Sequence, residues 1–249
     1  MSLEYLEKTE TENDLAGEQE VPQAQVGFGT PYYTCVLIGC LILVVLVQMF
    51  AGFDLSNSRV AFDKNAFRYG DEYWRILTGM TAHGFLLHFL LNTYAFFSFG
   101  RLFEFLSSGS HLAIVFLLGG ICGNVLSLLF LPDVPSVGAS GGIIALVGYL
   151  AVYAFRRRQF VSPQFRKSLM MNIGFILVFG LILYDVVDNY GHIGGLLAGA
   201  VYAYFQIPSD VYKDPRETGP AAQGAGMASL GIFIAASLLS VYLIITAIN

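Results

Sequence analysis

Apolar residues run in seven blocks along this chain, at 32–51, 83–103, 111–131, 137–155, 168–185, 190–207 and 228–248. Each approaches the roughly 20 residues a helix needs to cross the hydrocarbon core of a bilayer. The pattern predicts seven membrane-spanning helices. The sixth block is short and rich in Gly and Ala, so it is expected to pack inside the bundle rather than against lipid. The polar stretches between the blocks set the organisation. Residues 1–30 have no apolar period and read as a disordered acidic tail, with no basic, cleavable signal segment ahead of it. Residues 52–82 mix aromatic and charged side chains, which suits a structured interfacial loop. Residues 208–227 are rich in Pro, Gly and charge and predict a flexible linker. The helix at 228–248 then looks appended, and a chain ending near residue 209 is expected to fold and work without it.

Composition agrees. The 249 residues are 55% hydrophobic and 12% charged, about half the charge of a soluble domain. The net charge of −5 reflects the acidic tail more than the helical part. Three cysteines, Cys35, Cys40 and Cys122, lie in apolar blocks and make no disulfide framework. Arg156, Arg157, Arg158, Arg166 and Lys167 cluster between the fourth and fifth blocks. The positive-inside tendency puts that link and the N-terminus in the cytoplasm and the 52–82 loop outside. Four basic residues in the 52–82 loop pull mildly the other way.

Polar groups inside apolar blocks are expensive and usually face the bundle interior. Here they gather at one depth. "HGFLLHFLLN" brings His83, His88 and Asn92 to the outer half of the second helix, "GASGG" puts Ser140 at the start of the fourth, and "GHIGG" puts His192 at the start of the sixth. His111 falls at a helix end and reads as a loop residue. Gly195 and Gly199 form a small-residue pair on the face of His192. Gly141, Ala145 and Gly148 form a matching stripe below Ser140. Where the stripes meet, Ser140 and His192 share a level, and a hydroxyl beside an imidazole is the minimal activated nucleophile. A structural helix pair has the same stripes. Buried lysine activation and H-E-x-x-H zinc chemistry have no matching residues, so no metal site is expected. Asp188, four residues before His192, and Asp185 are candidates to orient it but read more simply as loop-end carboxylates.

These motifs resemble the rhomboid family of intramembrane serine proteases. The family pattern G-x-S-G, H-x4-H-x3-N and H-x2-G-x3-G occurs here as "GASG", "HGFLLHFLLN" and "HIGGLLAG", with "WR" at Trp74–Arg75 and Glu104 also matching. The resemblance implies an all-α, six-helix core over residues 31–207, followed by the linker 208–227 and a seventh helix at 228–249. It implies a Ser140–His192 dyad without a catalytic acid or cofactor, and an oxyanion and substrate-binding set of His83, Asn92 and Gly138. His88, Gly195 and Gly199 take supporting roles, Arg75 anchors the outer loop and Glu104 accepts hydrogen bonds at the inner end. It implies cleavage of transmembrane segments of other proteins, in contact with lipid and without nucleic acid. The setting it implies is the plasma (cell inner) membrane, with the active site open to the outer face. Many members carry an aromatic four residues after the serine, where this chain has Ile144. The rival classes are an inactive relative that binds or escorts membrane proteins, and a small-solute transporter, for which paired broken helices are missing.

Overall fold

A computed structural model describes residues 29–182 and 187–248. The acidic tail up to residue 28, and Asp185, lie outside these. The described residues are all-helical. In chain order they form α1 (Tyr32–Ala51), α2 (Phe53–Val60), α3 (Lys64–Tyr69), α4 (Arg75–Thr78), α5 (Leu86–Leu106), α6 (Gly109–Phe130), α7 (Ser140–Arg156), α8 (Pro163–Ile182), α9 (Asn189–Gln206) and α10 (Pro220–Ile248). Among the described residues a helix overlaps each of the seven apolar blocks. Three of them, α1, α6 and α10, are long and apolar enough to cross a membrane, and α7 is a shorter apolar helix.

Local chemistry sets the helix ends. Gly52, at φ +91°, ends α1 in a conformation that favours glycine. The Asp63 carboxylate accepts from Asn65 N and Ala66 N and starts α3. Ser108 caps α6 through His111 N, and Asp188 caps α9 through Gly191 N. The start of α1 is capped from a distance. Glu104 on α5 accepts from Thr34 N and Thr34 Oγ1, each at 2.7 Å.

The core is three helices in backbone contact. On α7, every residue from Gly142 to Leu150 is buried. A Cβ built on Gly119 of α6 would fall 2.1 Å from Ala145 Cβ, and one on Gly194 of α9 would fall 2.7 Å from Cys122 O of α6. Only glycines allow such approach, and close backbone packing replaces the hydrophobic drive that lipid removes. The segment 53–80 caps this core. It joins the loop before α7 through an isolated bridge in which Phe62 N donates to Ser136 O at 2.9 Å and Ser136 N returns the bond at 3.2 Å.

Three expectations change. The last helix begins at Pro220 rather than 228, because its Gly- and Ala-rich start continues the helix. It is not loosely appended. Phe233, Ala236, Ser237, Ser240 and Ile244 are buried, Gly226 closes on Ser110 of α6, and Ser240 Oγ meets Thr81 Oγ1 at 2.8 Å. The link before it is also held, since the Arg157 guanidinium donates to the carbonyls of Pro208, Asp210, Val211 and Lys213. Lastly, His111 is no loop residue; it is buried in the first turn of α6 with Nδ1 2.7 Å from Tyr202 Oη.

Candidate active site

Ser140 is the first residue of α7. Ala139 precedes it without a side-chain cap, and Ile143 N donates back to Ala139 O. The opening N–H groups of a helix lack partners within it, so the Ser140 N–H and the helix dipole face whatever lies before the helix. The chain enters through Gly138, at φ +122°, whose N donates to Gly79 O at 2.9 Å. Glycine is required there twice over. The φ is left-handed, and a Cβ would sit 2.9 Å from His88 Cε1 and 3.1 Å from His88 Nε2.

The candidate base, His192, comes from α9. His192 lies in its first turn, with its N donating to Asp188 O at 3.0 Å. The two small-residue stripes meet directly. A Cβ on Gly195 would fall 2.1 Å from Gly141 O, one on Gly199 1.8 Å from Ala145 O, and one on Gly148 2.3 Å from Leu196 O. Gly141 follows the serine, and Gly195 lies one turn after the histidine, so this contact brings Ser140 and His192 to one level. Both are half-buried, and no hydrogen bond joins them. Catalytic hydrogen bonds are commonly long before substrate binds. A cavity of about 20 Å³, touched by Ser136, Ser140, Gly141, Asp188 and Gly191, adjoins the serine and is large enough for water.

The second-helix motif divides differently from the expectation. The ring against the Gly138 turn is that of His88, and a Cβ on Gly138 would also lie 3.7 Å from Asn92 Nδ2. One Asn92 N–H goes to His88 O at 3.2 Å. His83 lies behind. It is fully buried, its ring edge-on to His88 and Phe89, and neither ring nitrogen has a partner. Its backbone is fixed, with N donating to Gln48 Oε1 and O accepting from Gln48 Nε2 at 3.0 Å. The ring against the Gly138 turn is thus that of His88 rather than His83, which precedes the helix that begins at Leu86.

Arg75 ties the 53–80 segment together, pairing with Glu72 and donating to Ala61 O and Ser58 O at 2.9 and 3.2 Å. Ile144 is buried in α7. Sequence reasoning missed a buried polar group beside the site. Lys64, 1% exposed, donates from Nζ to Ser127 Oγ and Ser136 Oγ, both at 2.8 Å, and Ser136 Oγ donates to Asp188 at 2.6 Å. Only the i−4 spacing of Asp188 to His192 hinted at it. Among the described residues no group of three metal-ligating side chains assembles.

Residues 70–209 match the family model of the Rhomboid domain. The chain belongs to the rhomboid family. It is 32% identical over 174 residues to the rhomboid protease GluP of Bacillus subtilis, covering 69% of this chain and 34% of that one. It is 31% identical over 146 residues to RHOMBOID-like protein 9, chloroplastic, of Arabidopsis thaliana, covering 55% and 32%. It is also 29% identical over 140 residues to human inactive rhomboid protein 1, covering 55% and 16%. The matches thus span about a third or less of these relatives. As a rhomboid with membrane-length apolar helices, the chain is an integral membrane protein.

Proposed function

We propose that this rhomboid is an intramembrane serine endopeptidase that hydrolyses peptide bonds in or near transmembrane segments of other membrane proteins. The observation that supports the reading is the α7–α9 backbone contact at Gly141 and Gly195, residues next to Ser140 and one turn after His192. Ser140 Oγ attacks the scissile carbonyl as His192 accepts its proton. The oxyanion forms at the start of α7, where the Ser140 N–H, the free Asn92 amide N–H and the His88 ring can donate. His192 then returns the proton to the leaving amine. Water, for which the adjoining cavity has room, hydrolyses the acyl-enzyme with His192 again as base. Gly138 leaves the approach to the serine open, and burial of Ile144 is compatible with a pocket shaped without an aromatic.

In the same reading seven helices cross the membrane, six of them as the family core. The N-terminus and the Arg-rich α7–α8 link face the cytoplasm. The 52–82 segment and the site face the outer side of a plasma membrane. Two observations favour a second reading, an inactive binding or escort factor: the similarity to inactive rhomboid protein 1 and the absence of a Ser140–His192 hydrogen bond. Incubating the purified protein in detergent with a model transmembrane substrate separates them. A protease cleaves it and loses cleavage in both Ser140→Ala and His192→Ala with folding intact. Wild-type protein that binds the substrate without cutting it supports the escort reading.

A further inference from the structure

Lys64 is buried in the outer cap of the molecule, and its three ammonium protons have three acceptors: Ser127 Oγ, Ser136 Oγ and the Val134 carbonyl. Ser127 closes the end of α6, while Val134 and Ser136 belong to the loop leading to Ser140. Ser136 Oγ accepts from Lys64 and donates to Asp188 Oδ2 at 2.6 Å, and Asp188 Oδ1 accepts from Gly191 N at 2.8 Å, next to His192. A single serine hydroxyl thus bridges a buried ammonium and the carboxylate that caps the helix of the base. The same serine lies four residues before the nucleophile, clamped to Phe62 by two backbone bonds.

Buried charges are retained only when paired and hydrogen-bonded. Anchoring the α6–α7 loop alone would need neither the carboxylate nor its link to α9. On the protease reading, on which this inference rests, we propose that Lys64, Ser136 and Asp188 form a positioning network that holds the Ser140 turn and the His192 helix cap in register. None of the three touches the reacting atoms. Losing the charge on Lys64 frees Ser136 and Asp188, and the two catalytic elements then move independently. Misplacement by about 1 Å costs on the order of 100-fold in rate.

The network makes activity sensitive to alkaline pH. Burial pushes the Lys64 ammonium below the usual lysine range, Asp188 and Asp63 pull it back up, and Arg68 pushes it further down. These three are the charged groups facing it, from the α9 cap, the turn before α3 and α3 itself. The signs separate activity from stability. A lysine with a depressed folded pKa opposes folding below that value. Its penalty is relieved as pH rises toward the unfolded value of about 10.4. Through that window the Lys64 contribution to stability improves while the network loses its charge and turnover falls.

The test measures kcat, KM and thermal unfolding across pH for wild type, Lys64→Met, Ser136→Ala and Asp188→Asn. Ser136→Ala is the smallest change and decides the matter if Lys64→Met fails to fold. We expect kcat to drop about 10- to 100-fold in each folded variant with KM little changed. The wild-type fall in kcat at alkaline pH should be absent from Lys64→Met and Ser136→Ala. A wild type that cleaves, beside folded variants with unchanged kcat and unchanged pH profiles, overturns this inference alone. A wild type that cleaves no substrate overturns the protease reading and this inference with it.

Discussion

Gly195→Ala tests the contact that aligns the two helices of the proposed dyad. The new Cβ would lie 2.1 Å from Gly141 O and 2.9 Å from Gly141 C, against 3.4 Å or more for ordinary contact. The obstacle is backbone next to the nucleophile, so no rotamer change relieves it. The helices must part or rotate by on the order of 1 Å, enough to lower turnover about 100-fold. Overpacking of this kind costs about 1–3 kcal/mol, and alanine returns up to about 1 kcal/mol through better helix propensity. A backbone clash belongs at the upper end, so a net loss of about 2 kcal/mol is expected. Gly231→Ala is the control, because its Cβ meets nothing within 4 Å. It should unfold at or above the wild-type temperature and cleave normally. The assay is thermal unfolding in detergent beside the rate of cleavage of a model transmembrane substrate. A Gly195→Ala protein with wild-type stability and wild-type rate would refute the packing argument.

Other perturbations separate neighbouring roles. His88→Ala and Asn92→Ala should lower kcat with little effect on KM, Asn92→Ala by roughly 100- to 1,000-fold if no other donor compensates; a raised KM at unchanged kcat would contradict the oxyanion assignment. His83→Phe should fold and keep activity within a few-fold, because replacing a buried imidazole that has no partners by a ring of similar shape is close to neutral; an inactive, folded His83→Phe would return His83 to the catalytic set. A chain ending near residue 209 should unfold at lower temperature and lose most activity, since α10 buries Phe233, Ser237, Ser240 and Ile244 and bonds Thr81; a truncated protein as stable and active as full length would show that α10 is dispensable.

The helices were legible because apolar runs of membrane length have few other readings. Among the described residues each block holds a helix, with ends displaced by up to eight residues where Gly and Ala continue a helix past the apolar run, as at Pro220. The stripes through Gly141, Ala145, Gly195 and Gly199 were legible for the same reason, since small residues at helical spacing mark a face. What the pattern could not give was the direction of single polar side chains. His83 and His88 read alike in one motif, but the helix starts only at Leu86, so their rings leave the backbone in unrelated directions. Lys64 lies in a stretch whose mixed charges read as an interfacial loop; its acceptors lie 63 to 72 residues away, and nothing local records that. The linker looked flexible because its composition is polar, yet Arg157 gathers its carbonyls from another helix.

The central claim is that Ser140 is a nucleophile activated by His192. Incubation of the detergent-solubilised protein with a fluorophosphonate, followed by mass spectrometry of its peptides, reads this directly. The account predicts a phosphonyl adduct on Ser140 in wild type, strongly slowed labelling in folded His192→Ala and none in folded Ser140→Ala. Wild-type protein whose Ser140 stays unmodified while a substrate is cleaved, or labelling at Ser140 that is indifferent to His192, would contradict it.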